Sequence, residues 1–240
     1  MSAPLPFSVA DGMYLGEDFI ANDPATDAAV GQQEWEIETI GNASTIAYLV
    51  TTNTDDGYYG VLRDTTAGTA DGDGERYRML ADTLVLGAKG GSFRCLSRIP
   101  DITGNLVAGN NIKFGFYDNA TPTVGVYVYV DSGIPILHID SADHGDVSAT
   151  AASVSTLTSG TTLVKGTWHD IRVNFWGANT NGGPSSAQMY VDGELAAELI
   201  GTGVLDNDEE CEPAFQHWQD TGGADTLEWD FDFLEFFLAR

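Results

Sequence analysis

Gly166 to Leu199 constrains this chain more than any other stretch. It reads GTWHDIRVNFWGANTNGGPSSAQMYVDGELAAEL. Trp168, Ile171, Val173 and Phe175 anchor one strand, and Met189, Tyr190 and Val191 a second. A loop of Gly, Asn, Pro and Ser joins the two. The second strand breaks at Asp192-Gly193 and resumes at Glu194 and Leu195. Asp-Gly supplies the positive φ that a two-residue hairpin turn requires, so the pattern predicts antiparallel β-structure by a definite mechanism.

The same pattern recurs along the chain. Alternating segments are expected at Glu34–Ile40, Ile46–Thr51, Tyr58–Arg63, Thr83–Gly87, Ser92–Ile99 and Asn111–Tyr117. They continue at Val124–Asp131, Ile134–Ile139, Thr162–Lys165, His169–Trp176, Ala187–Val191 and Thr226–Leu238. Gly, Asn, Asp or Pro clusters bound each one. Only Asp23–Val30 and Pro213–Gln219 leave room for a turn or two of helix. Many short strands with no interleaved helices predict an all-β sandwich or barrel. No repeat or linker divides the chain, and Ser141–Ser159 reads as a strand-plus-loop excursion. One sandwich domain is expected over residues 31–240, with residues 1–30 as an N-terminal arm or edge strand.

Composition supports a folded core and narrows the partners. Of 240 residues 42% are hydrophobic, including 5 Trp, 9 Tyr and 11 Phe, which argues against disorder despite the charge. Acidic residues outnumber basic ones 36 to 10, a net charge of −26, and Lys89, Lys113 and Lys165 are the only lysines. Such a surface repels phosphate backbones, which excludes nucleic acid as an expected partner. It suits either a high-salt setting, where charge is screened over about 3 Å at 1 M salt, or a surface made for divalent ions or a basic partner. Lysine scarcity favours the saline reading. No apolar run approaches the roughly 18–20 residues of a membrane helix. The first residues lack the basic and apolar regions of a signal peptide, so none is expected. Cys95 and Cys211 are compatible with a disulfide and equally with two free thiols.

Few residues invite chemistry. Strand period places Glu228, Asp230 and Asp232 on one face and Trp229, Phe231 and Phe233 on the other. Glu228 and Asp232 resemble the Glu-x-Asp-x-Glu strand of retaining β-glucanases built on a jelly roll, which implies a glycosidase nucleophile and acid/base. The last acid here is the shorter Asp, and the motif sits on the final strand where that family places it mid-chain. Asp71, Asp73 and Glu75 offer oxygen ligands at alternate positions, as calcium sites do, without the rest of an EF-hand loop. Asp55-Asp56 and the run from Asp206 to Glu212 are further acidic loops. His138, Asp140, Asp143, His144 and Asp146 do not form a recognised zinc spacing. His169 and His217 read as strand-edge packing beside Trp168 and Trp218. Sugar-stacking platforms are available in Tyr58-Tyr59, Tyr127 with Tyr129, Trp176 with Asn179 and Asn181, and Trp218, although such rings are more often core.

The Trp168–Leu195 pair resembles the W-x-x-I-x-V and M-Y-V-D-G-E-L strands of concanavalin A-like, or laminin-G-like, jelly rolls. Gly57–Leu62, Phe93–Arg98 and Lys113–Asp118 resemble further strands of that family. The resemblance implies a two-sheet antiparallel jelly-roll sandwich. Combined with the Trp-His-Asp-Ile-Arg strand, it is similar to virion proteins of tailed phages and archaeal tailed viruses. It therefore implies a non-enzymatic capsid decoration (cement or turret) protein, assembled in the host cytoplasm and displayed on the virion surface. Its implied partners are the major capsid protein or other virion proteins, with a homo-oligomer, a trimer, as the family's habit. No catalytic residue and no cofactor beyond a structural calcium is expected. The alternative is a carbohydrate-binding, lectin-like module that takes surface glycans, with or without calcium. Third comes a glycoside hydrolase using Glu228 and Asp232.

Overall fold

A computed structural model describes residues 12–17, 19, 29–30, 35–49, 60–68, 70–79, 84–220 and 226–239. Among these residues there is no helix, and seventeen strands follow one another. They are β1 (Gly12–Glu17), β2 (Ala29–Val30), β3 (Trp35–Ile40), β4 (Thr45–Leu49), β5 (Val61–Thr65) and β6 (Gly74–Arg78). Then come β7 (Leu84–Val85), β8 (Gly91–Arg98), β9 (Asn110–Tyr117), β10 (Gly125–Asp131), β11 (Ile134–Ser141) and β12 (Gly145–Thr150). The last five are β13 (His169–Trp176), β14 (Ser186–Val191), β15 (Glu194–Leu199), β16 (Glu210–Gln219) and β17 (Glu228–Ala239).

The strands form two antiparallel sheets, a jelly-roll sandwich. One has eight strands in the order β15-β14-β13-β8-β17-β5-β4, with β1 also on β17. The other has nine, β12-β11-β10-β9-β16-β6-β3-β2, with β7 also on β16. The final two strands each enter the middle of a sheet, β16 between β9 and β6 and β17 between β8 and β5. The C-terminal strand also returns beside the first one, with Gly12 opposite Ala239.

Alternation decides which side chains fill the space between the sheets. Phe93 on β8, Phe114 and Phe116 on β9, Phe175 on β13 and Phe236 on β17 meet there with ring centroids 5.5–6.5 Å apart. Each such ring contributes roughly 1.5–3 kcal/mol by leaving water. Cys95 and Cys211 are both buried and free. Burial pushes the Cys95 thiol up to about 12, so it stays protonated.

Four sequence expectations are corrected. Pro213–Gln219 is not a helical turn but part of β16, a central strand. Cys211 therefore lies on that strand and not in a loop. Thr162–Lys165 carries no strand, only an isolated bridge between Thr158 and Thr162. On β17 the alternation does not run through, because a bulge between Phe231 and Phe233 shifts the register. Phe233 thus leaves the core side and lies under the Arg94 guanidinium at 5.4 Å, while Leu234 turns inward. Of Asp23–Val30, Ala29–Val30 is strand and the rest lies outside the described residues.

The Asp192-Gly193 turn joins β14 to β15 as the sequence predicts, with both residues at positive φ. Asp192 does more than turn the chain. Its carboxylate accepts the Asp170 N–H at 2.9 Å, the Thr156 hydroxyl at 2.6 Å and His169 Nδ1–H at 2.8 Å. His169 Nε2 accepts the Val164 N–H, which fixes that tautomer. Burial pushes Asp192 up, but the bonds from His169, Thr156 and Asp170 outweigh it and hold the carboxyl below its ordinary value. A lowered acid contributes stability above its unfolded value of about 4 and loses it as pH falls through the folded value. Asp192→Asn is expected to cost about 1–2 kcal/mol at pH 7, a gap that closes as urea unfolding is repeated below about pH 4. A gap that persists unchanged to pH 2 would refute the assignment.

Candidate functional site

The outer face of the nine-stranded sheet carries an aromatic patch that no single segment of the sequence encodes. On β9 the inward residues are Ile112, Phe114 and Phe116, so Asn111, Lys113, Gly115 and Tyr117 face outward. Lys113 stands between Tyr129 on β10 and Gln216 on β16, each directly across the ladder. One pair along, Gly115 stands between Tyr127 and Ala214. Asn111 stands opposite Trp218. Large residues thus flank a floor of glycine and alanine. Gly115 has φ +145°, and a Cβ there would come within 2.6 Å of the Tyr127 Cα, so this position accepts no other residue without strain.

Three rings and one cation occupy the patch. Tyr129 and Trp218, both half-buried, lie with centroids 5.3 Å apart and planes at 31°. Lys113 Nζ sits 5.0 Å from the Trp218 centroid, 5.6 Å from Tyr129 and 5.8 Å from Tyr127. Its hydrogen bond goes to the Ala120 carbonyl at 3.1 Å. That carbonyl belongs to the loop after β9, which Asp118 organises by accepting from the N–H groups of Thr123 and Val124. On the far side, His138 of β11 stacks on Tyr127, centroids 4.8 Å apart and planes nearly parallel. His138 Nδ1 faces Asp146 Oδ1 at 3.0 Å, and its Nε2 has no partner among the described residues.

Burial sets the charges of the patch. It lowers Lys113 to about 8, with the nearby Arg76 charge acting in the same direction. It raises Asp140 to about 6, helped by the charge on Asp146, and raises Tyr129 to about 12. Tyr117 and Tyr127 are pushed up further by the same cause, so all three phenols are neutral at pH 7. Below the patch, Arg76 joins Glu212 at 2.5 Å and Glu38 at 3.0 Å, and donates to the Asp118 carbonyl at 2.9 Å. The arrangement offers ring faces, hydrogen-bonding groups and a positive centre, and beside it the Tyr127 hydroxyl donates to Asp140 Oδ2 at 3.4 Å.

Sequence-based candidates fare unequally. Tyr127, Tyr129 and Trp218 come together, because β9 pairs with both β10 and β16. Trp176 lies on the other sheet, where Asn179 and Asn181 brace a loop by bonds to Leu205 and Asn179. Tyr58-Tyr59 and Asp55-Asp56 lie outside the described residues. Asp71, Asp73 and Glu75 do not converge: Asp71 is exposed, Asp73 holds Asn42 and Ala70, and Glu75 turns inward to Ser44 and Thr39. Among the described residues no three His, Cys, Asp or Glu side chains group as metal ligands. Glu228 pairs with Arg63 at 2.9 Å, and Asp232 sits at the bulge between Phe231 and Phe233, which breaks the expected shared face. In the acidic run, Glu209 caps Asp206 and Ala142, and Glu212 is buried against Arg76. The sequence reading missed Lys113, Gln216 and Arg76. The available signal was a lysine inside a strand of aromatics in a chain with three lysines.

No family model matches the chain, and no curated protein does. Solved structures match by fold. An endo-beta-1,4-glucuronan lyase from the fungus Trichoderma reesei superposes with TM-score 0.61 at 12% identity, covering 94% of this chain and 95% of that one. The carbohydrate recognition domain of Emp47p gives TM-score 0.56 at 11% identity, covering 98% of this chain and all of that one. The ligand binding domain of botulinum neurotoxin serotype D, in complex with N-acetylneuraminic acid, gives 0.53 at 11%, covering 94% of this chain and 47% of that one. The chain shares the two-sheet sandwich fold of these structures.

Proposed function

We propose that this jelly roll is a non-catalytic carbohydrate-binding module whose glycan stacks on Tyr129 and Trp218. The half-buried ring pair on the outer sheet face carries the reading. Tyr and Trp present apolar faces for the C–H side of a sugar and polar edges for its hydroxyls. Beside the pair, Ala214 packs with Tyr117 and Tyr127, and Tyr129 packs against that cluster, which holds the platform in place. Of the similar folds, one is a carbohydrate recognition domain, one is in complex with N-acetylneuraminic acid and one is a glucuronan lyase. The virion-surface role implied by the sequence resemblance draws no support from these neighbours.

A glycan array followed by titration calorimetry tests the proposal. Trp218→Ala is expected to weaken binding at least about tenfold, a change of roughly 1.4 kcal/mol, with Trp176→Ala unchanged. No cleavage of a bound polysaccharide is expected. Silence across the array rejects the reading, and equal loss in both variants moves the site elsewhere.

A further inference from the structure

Lys113 is the one feature of the patch that a neutral sugar does not require. Six of this chain's scarce cations pair with carboxylates: Arg63 with Asp230, Arg76 with Glu212, Arg78 with Glu36, Arg94 with Asp170, Arg98 with Asp230 and Lys165 with Asp101. Lys113 departs from that habit. It is only 7% exposed, yet its Nζ ends on a carbonyl and three ring faces, with no carboxylate at ion-pair distance among the described residues. Burying an ammonium is costly, and ring faces and a carbonyl supply no counter-charge at contact. The charges of Asp118 and Asp140 favour its protonated form, yet neither pairs with it, which leaves its contact with an anion unfilled.

A second observation points to a ligand at the same place. Gln216, directly across the ladder from Lys113, is 3% exposed, and its Oε1 has no hydrogen-bond partner among the described residues. A buried amide oxygen without a donor is costly, and a ligand hydroxyl satisfies it. An ammonium and an amide oxygen on neighbouring strands suit a ligand that carries both an anionic group and hydroxyls.

We propose that the ligand is an acidic sugar, a uronic acid unit whose carboxylate meets Lys113, with a hydroxyl donating to Gln216 Oε1 and the ring stacked on Tyr129 and Trp218. This rests on the carbohydrate-binding reading above and names the class of glycan. The net charge of −26 opposes any anionic ligand from a distance. That repulsion is screened as the Debye length shrinks from about 10 Å at 0.1 M salt to about 3 Å at 1 M, while the half-buried contact is screened less. Affinity for the uronate therefore rises with salt, the reverse of an ordinary surface ion pair.

Calorimetry with oligogalacturonate, oligoglucuronate, their carboxyl-reduced counterparts and a sulfated oligosaccharide tests the inference. Wild-type protein is expected to bind at least one oligouronate, more tightly in 1 M salt than in 0.1 M, and less tightly above pH 8 as Lys113 loses its proton. Lys113→Met, which keeps the cage filled, is expected to weaken that binding at least about tenfold, with Lys113→Arg retaining most of it. Circular dichroism and the melting temperature confirm that both variants fold. Preference for the reduced or sulfated sugars, or indifference to Lys113→Met, overturns the inference and leaves the carbohydrate reading standing. Absence of binding to every sugar overturns both.

Discussion

Asp64→Ala is expected to lower the free energy of unfolding by about 3–5 kcal/mol, the effect of removing one member of a fully buried polar pair. Asp64 projects from β5 into the space between the sheets and is 0% exposed. The Tyr77 hydroxyl donates to its Oδ2 at 2.7 Å, and His217 Nδ1 lies 3.2 Å from its Oδ1. The other side of His217 is fixed by Asn110, whose Nδ2 donates to the Leu106 and Glu228 carbonyls, so that its Oδ1 receives His217 Nε2–H at 2.9 Å. Removing the carboxylate strands a buried phenol and a buried imidazole together. It also unties the two sheets, since β5 belongs to one and β6 and β16 to the other. Asp64→Asn keeps an acceptor for Tyr77 and is expected to lose about half as much. Urea unfolding followed by tryptophan fluorescence reads both. A loss under about 1 kcal/mol for Asp64→Ala would mean that water takes over these contacts.

Arg76→Ala is expected to cost a similar 3–5 kcal/mol, because it removes the guanidinium that faces fully buried Glu212. Replacing both partners at once, Arg76→Met with Glu212→Leu, is expected to restore most of that loss, since the apolar pair carries no desolvation penalty. Glu38→Ala is expected to change stability by less than about 1 kcal/mol, because that carboxylate is 43% exposed and screened by water. A double-mutant cycle in urea separates the three. Single variants that add without coupling would show the contact to be incidental. The prediction reaches the site as well: Arg76 holds the Asp118 carbonyl, and the loop beginning there supplies the Ala120 carbonyl over Lys113. Loosening it is expected to weaken glycan binding along with the fold.

Strand positions were legible in the sequence wherever alternation and turn residues agreed, as in β8 through β11, β13 and β14. Strand β16 was hidden by its composition. An acidic start and Pro213 argue against a central strand. The structure resolves the conflict: the Pro213 carbonyl accepts from the Met79 N–H, so its ring nitrogen points to the same side, at the junction where β7 gives way to β6. The missing N–H thus falls just beyond the last ladder pair, Ala214 with Arg78. The bulge on β17 did leave a trace, in that Phe231 and Leu234 are three apart where strand period demands two or four. Reading Phe231 and Phe233 as one face passed over it.

The sequence by itself determined the class of this protein, because alternation and positive-φ turns act over a few residues and need no partner to be recognised. It also named Tyr127, Tyr129 and Trp218 as rings fit for a sugar. Only the tertiary structure decided that they form one platform, since Tyr129 and Trp218 meet through ladders linking β10, β9 and β16 across nearly ninety residues of chain. It likewise decided that Lys113 stands among them without an acid and that Asp64 and His217 share the interior. Pairing partners are chosen by the burial of whole strands, a long-range property. No window of sequence around any one of these residues contains it.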